Sequence, residues 1–255
     1  MPLEQYLPLQ VYAFGLVFTR VAAMVAMMPG IGESSIPMNV RVFLAIAISV
    51  VISPLVAGSL PPSPPSVFGL LMLLTGEIVV GGFFGLVSRI LLLTLDTAGQ
   101  LISLSIGLSN ASVFNPAIQN QASIPGLFLT TAGLLVLFAA DMHHVLIRGI
   151  VDSYTLYAPG GVMPVGDFAN ALSRLIAGSF KVGFQLAAPF ILISVLFFVG
   201  LGMVSRLMPQ LQIFFVGLPI QLSGGILLFG AVLSGLFAVF LQYYADSVFT
   251  YLIRP

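Results

Sequence analysis

The stretch Gly99-Gln100-Leu101-Ile102-Ser103-Leu104-Ser105-Ile106-Gly107-Leu108-Ser109-Asn110-Ala111-Ser112-Val113-Phe114-Asn115-Pro116-Ala117-Ile118-Gln119-Asn120-Gln121-Ala122-Ser123 lies between Asp96 and Asp141, and no residue between those two aspartates carries a formal charge. It is rich in Ser, Asn, Gln and Gly, with Phe114 and Pro116 inside it. Irregular backbone of this composition cannot face lipid, because its amides would go unpaired in hydrocarbon. Strongly apolar blocks flank it on both sides. The stretch therefore reads as a re-entrant or pore-lining loop, surrounded by water or by protein.

The surrounding composition sets the class. Of 255 residues 59% are hydrophobic and only 6% are charged, against roughly 25% charged in an ordinary soluble domain. A soluble enzyme is excluded on that ground. Apolar runs of about 20 residues predict an all-α fold: a polytopic membrane-type set of helical hairpins with about six hydrophobic helices, some long and kinked. Strand alternation is absent, so a barrel is not expected. Eight basic and eight acidic side chains cancel, and no basic run marks nucleic acid. Cysteine is absent, which removes disulfides and thiolate chemistry. Tryptophan is absent too. Interface anchoring then falls to Tyr6, Tyr12, Tyr154, Tyr157, Tyr243, Tyr244 and Tyr251, near the ends of apolar runs.

Taken in order, the N-terminus lacks the positive region of a signal peptide, so Leu9 to Met28 is expected to be retained as the first span. Arg20 lies well inside it, at a cost of roughly 2.5–3.5 kcal/mol at a helix centre. Pro29-Gly30 ends that helix, and a second runs from Ile36-Pro37 and Arg41 to about Gly58. Pro61-Pro62-Ser63-Pro64-Pro65 is a stiff extended connector. The third span, Val67 to about Arg89, carries Glu77 at mid-span and Gly81 and Gly85 on one face, where another helix can approach closely. Glu77 is either a paired carboxylate or a proton-coupling one, with pairing favoured; Arg20 and Lys181 are its available partners. A fourth span follows Ile124-Pro125 to near Ala140. Asp141, His143 and His144 come next; adjacent histidines point about 100° apart on a helix. Two interfacial histidines are expected there, and no metal centre. The fifth span, Leu172 to Leu201, holds Lys181, the sole lysine, and Pro189. The last block, Ile213 to Phe240, is expected to break at Pro219 and Gly224-Gly225 into a hinged pair.

Catalysis has little support. A serine protease dyad of Ser109 with His143 or His144 has only sequence order to connect its members. A secondary transporter built on the buried charges Arg20, Glu77 and Lys181 is more credible, although the halves show no internal repeat.

Four separated patterns carry a resemblance. They are Arg20 with Met28-Pro29, Ile36-Pro37 and Val40-Arg41; Gly76-Glu77 with Gly81 and Gly85; Gly99 to Gly107 with Asn115-Pro116 and Pro125; and His143, Ser153 and Pro159-Gly160, then Arg206-x-x-Pro209-Gln210-Leu211-Gln212-Ile213-Phe214 with Gly217 and Pro219. In this order the chain resembles the FliR family of export-gate proteins, called SctT in virulence-type secretion systems. The resemblance implies a non-enzymatic subunit of the bacterial type III protein export gate. It implies a single domain over residues 1–255, in the inner membrane at the flagellar basal body, with FliP-, FliQ- and FlhB-like partners, unfolded export substrates and no cofactor. It also implies a channel plug over about 106–122, carried onto Ile106, Gly107, Phe114, Asn115 and Pro116. Subunit assembly is carried onto Arg206, Pro209, Gln210, Phe214 and Gly217.

Overall fold

The structure, a computed structural model, describes residues 3–33, 35–110, 123–161, 164–208 and 213–253. Among them all regular structure is helical: α1 (Leu3–Met27), α2 (Met38–Val56), α3 (Val67–Ser105), α4 (Ile124–Ala139), α5 (Met142–Leu156), α6 (Val165–Leu207) and α7 (Ile213–Val248). Five helices are long and apolar enough to cross a membrane, or up to six if the broken pair α4 and α5 is one span. The all-α polytopic architecture expected from hydropathy is therefore present. The chain divides into two compact units, Met1–Leu91 with Leu137–Leu175 and Ala245–Pro255, and Leu92–Val136 with Ile176–Tyr244.

In the first unit α1 packs along α2 as a hairpin. Pro29 stops α1, and Gly30 turns the chain at φ +82°, a value that glycine adopts without a Cβ penalty. Arg41 fastens this turn, its Nε and Nη2 donating to the Ile36 carbonyl at 3.1 and 2.9 Å. After α2, Pro61 to Pro64 form neither helix nor strand. Proline has no N–H to give to either.

Two helices differ from expectation. α3 does not stop near Arg89 but runs on to Ser105, 39 residues in all, so the first part of the uncharged stretch is helical. The cause is a buried seam of Val80, Phe84, Val87, Leu91, Leu95, Ala98, Ile102 and Ile106, spaced three and four apart as a helix requires. Polar residues do not interrupt it. Thr97 and Ser105 donate their hydroxyls back to the carbonyls of Leu93 and Leu101 at 3.1 and 2.8 Å, a bond that a helix tolerates. α7 likewise does not break at Pro219 or Gly224-Gly225 and is continuous over 36 residues. Pro219, the seventh residue of α7, forgoes one backbone bond, a loss that long apolar helices accommodate by local adjustment and by neighbouring groups.

Helix α3 is the more buried: 67% of its most apolar 18-residue stretch is buried, against 11% of the corresponding stretches of α6 and α7. α6 has 43 residues, roughly 65 Å at 1.5 Å per residue, twice the roughly 30 Å hydrocarbon core.

Candidate functional site

In the first unit α1, α3 and α5 meet at Arg20. Its guanidinium grips Glu77 with two bonds, Nε to Oε2 at 2.6 Å and Nη2 to Oε1 at 3.0 Å. Nη2 also donates to the Tyr157 carbonyl at 2.9 Å, and Nη1 to Ser153 Oγ at 3.0 Å. Ser153 in turn donates its hydroxyl to the Ile150 carbonyl at 2.6 Å. The Tyr154 ring covers the cation, its centroid 3.9 Å from Cζ, a cation–π contact in a desolvated setting. Arg20 is 2% exposed and Glu77 1%. Burial of this depth is tolerable only for paired, hydrogen-bonded charges.

Local sequence permits the contact. A Cβ at Gly81 would collide with the Arg20 carbonyl, and one at Gly85 would lie 2.7 Å from Met27 Cβ and 2.8 Å from the Met24 carbonyl. The two glycines one turn apart thus let α1 lie directly on α3 at the level of the ion pair. A cleft of about 600 Å³ opens beside it, lined by Leu73, Gly76, Tyr157, Pro159 and Gly160. Burial raises the Tyr157 hydroxyl above the ordinary phenol range, and the negative charge of Asp167 adds to the shift.

Chemically the cluster is a tie between three helices. Four of the five guanidinium donors are engaged, leaving little freedom for the reorganisation that a proton shuttle needs. Lys181 does not belong to it. Expected among the buried charges, it is instead exposed on α6, beside exposed Phe180 and Phe184. Hydropathy places a lysine within a span but not on a face.

In the second unit the uncharged stretch is rooted at the end of α3. Ile106 is buried, and Gly107 takes φ +82°, the left-handed conformation that commonly terminates a helix. Gln221 of α7 donates Nε2 to the Ser105 carbonyl at 2.7 Å, satisfying one of the acceptors that a helix end leaves open. Gly225, one turn on, lies against Ile106 where a Cβ would be 2.5 Å from its side chain. Ser109 Oγ is 3.1 Å from Ser103 Oγ. Phe114, Asn115 and Pro116 lie outside the described residues.

Among the residues expected to serve assembly, Arg206 is exposed in the last turn of α6. Pro209 and Gln210 lie outside the described residues, and Phe214 falls in the first turn of α7. Gly217 is buried, where a Cβ would be 2.8 Å from the Leu201 side chain of α6.

Sequence reasoning missed several partners. Tyr154 and Tyr244, expected as interface anchors, are 2% and 1% exposed. The Tyr157 carbonyl and Gln221 carried no signal, since a backbone acceptor has no residue signature and a lone glutamine in an apolar helix has many uses. Asp141, His143 and His144 also converge. Their candidate ligand atoms lie within 4.8 Å of one another, closer than regular helical spacing suggested, because Asp141 sits at φ +56° ahead of the first turn of α5.

The model of bacterial export proteins, family 1, matches residues 11–247. The chain is 38% identical to the flagellar biosynthetic protein FliR of Caulobacter vibrioides, over 94% of this chain and 97% of that protein. It is 31% identical to the flagellar biosynthetic protein FliR of Escherichia coli, over 98% and 94%. It is 29% identical to the Yop proteins translocation protein T of Yersinia pestis, over 60% of each chain. With a match that runs through nearly every helix described above, the chain belongs to the bacterial export proteins of family 1, the FliR/SctT family.

Proposed function

We propose that this chain is a subunit of the bacterial type III protein export gate that serves flagellum assembly, and that it forms and closes a protein-conducting channel with FliP-, FliQ- and FlhB-like partners. The observation that carries the reading is its collinear similarity to flagellar FliR over 94% of its length. The multi-pass helices would lie in the inner membrane at the flagellar basal body. The largely unburied α6 and α7 are suited to meeting neighbouring subunits, through the block Arg206, Pro209, Gln210, Phe214 and Gly217. No catalytic step is required. The transporter alternative is weakened by the exposure of Lys181, which removes one of its three charges.

Within the gate, residues 106–122 would act as the plug, with Ile106 and Gly107 as its root and Phe114, Asn115 and Pro116 in the closed lumen. Unfolded substrates of any sequence must pass, and a neutral, weakly adhesive segment suits that task. Deleting residues 107–120 and recording conductance of the purified complex tests the reading. The expected result is an assembled complex that leaks ions in the absence of substrate. Wild-type conductance from an intact deleted complex would refute the plug. Failure of the tagged full-length chain to co-purify with partners in native mass spectrometry would refute the gate-subunit reading itself.

A further inference from the structure

The turn between α4 and α5 holds a donor set that the export reading does not use. Asp141 is the sole non-glycine residue with positive φ among the described residues, at φ +56° and ψ +19°. Left-handed backbone at a residue with a Cβ is uncommon and invites a reason. Asp141 occupies the N-cap position of α5 yet makes no capping hydrogen bond with its side chain. Its carboxylate turns instead to His144, Oδ1 lying 3.3 Å from Nδ1. The neighbouring His143 ring is tilted against the His144 ring, centroids 4.0 Å apart, and lies 5.1 Å from the Phe138 ring. His143 Nδ1 is buried with no hydrogen-bond partner among the described residues, a state that has a cost unless something occupies that lone pair or proton.

We propose that Asp141, His143 and His144 form a binding site for a borderline divalent cation of the zinc type, held by two imidazole nitrogens and one carboxylate oxygen. Ligands of a tetrahedral zinc site are about 3.3 Å apart, given metal–donor distances of roughly 2.0–2.2 Å. The Asp141–His144 pair already has that spacing, and the whole set, within 4.8 Å, needs only small side-chain rotations to close. The chemistry chooses the ion. A hard cation such as magnesium wants six oxygens in octahedral array, whereas one carboxylate and two imidazoles suit zinc, copper or nickel. The positive end of the α5 dipole also opposes a cation held by charge alone, so imidazole coordination must supply the affinity. Arg148, the sole arginine of α5, is turned to Asp152 at 3.9 Å and does not occupy the Asp141 carboxylate. Three protein donors leave one tetrahedral position for water. A bound ion would fix the turn at Asp141 in its left-handed conformation.

The test uses the full-length chain in detergent, purified without a histidine tag, stripped of metal and dialysed against zinc chloride, with magnesium chloride in parallel. The expected result is one retained zinc per chain, no retained magnesium, and an X-ray absorption spectrum showing two imidazole scatterers. Asp141→Asn and His144→Asn alter exposed side chains and should leave the metal-free unfolding midpoint unchanged while weakening zinc binding at least tenfold. His143→Ala should lose it as well. Zinc that is not retained, or is retained equally by wild type and by the folded Asp141→Asn and His144→Asn variants, would overturn the site. Equal uptake of magnesium would do the same, reducing the cluster to surface charge.

Discussion

Arg20 and Glu77 illustrate how a charge inside a span survives: by pairing so completely that neither can be changed alone. Removing one partner of such a buried pair leaves the other uncompensated, at a cost of about 3–5 kcal/mol. Glu77→Gln and Arg20→Met should therefore each lower the thermal unfolding midpoint of the detergent-solubilised chain markedly. The double variant Arg20→Met/Glu77→Leu should recover most of that loss, because apolar replacement of a whole buried pair is often close to neutral. A double variant as unstable as the sum of the singles would show that Arg20 is held by Ser153 and the Tyr157 carbonyl more than by Glu77. Much of this pair was legible in the chain itself, since mid-span charges in a protein with 6% charged residues tend to find one another. Lys181 obeyed the same logic and misled, because hydropathy averages over all faces of α6 and its lysine stands on an open one. Tyr154 misled in the opposite sense: position near the end of an apolar run suggested an interface, but its ring is taken up by the Arg20 cation.

At the scale of helices, close approach is what turns a ladder of apolar spans into a particular packing. Gly81 faces the backbone carbonyl of Arg20, while Gly82, its neighbour in sequence, has nothing nearer to a built Cβ than Met27 Sδ at 3.9 Å. Gly81→Val should push α1 off α3 and disturb the ion pair, costing at least the 1–3 kcal/mol or so of ordinary overpacking. Gly82→Ala should cost nothing and should stabilise by up to about 1 kcal/mol, the usual gain of Ala over Gly inside a helix. Equilibrium unfolding of both variants checks the contrast, and similar behaviour of the two would remove the close-packing role from Gly81. The spacing of Gly81 and Gly85 made this face readable in advance. The length of α3 was not readable, because Ser, Thr, Gln and Gly from Asp96 onward resemble loop composition when their side-chain bonds to the i−4 carbonyls are out of sight. What distinguished helix from loop was the seam Leu91, Leu95, Ala98, Ile102, Ile106, whose alanine and intervening serines dilute the apolar signal. The break expected at Pro219 did not occur because one proline costs a single backbone bond, which a long apolar helix can carry without ending.

For the molecule as a whole, stability and assembly should separate along α6. Leu186 is 4% exposed and Leu192 62% exposed on the same helix, so a charge placed at each position probes a different environment. Leu186→Arg buries an unpaired cation among apolar neighbours and should unfold the second unit or deplete the chain from membranes. Leu192→Arg touches no core. It should leave the unfolding midpoint in detergent unchanged, because the micelle and its water accommodate an exposed guanidinium. A helix of 43 residues, however, is too long to be covered by one bilayer crossing, at roughly 65 Å against 30 Å of hydrocarbon. The excess apolar surface must find protein if it is not to face water. Leu192→Arg should therefore reduce recovery of the multi-chain complex by about tenfold or more, the effect expected of an unpaired charge at an interface core. Native mass spectrometry of tagged variants, with unfolding midpoints measured in parallel, separates the two effects. Normal assembly of Leu192→Arg would show that this stretch of α6 carries no subunit contact and move those contacts to another part of the open helix surface.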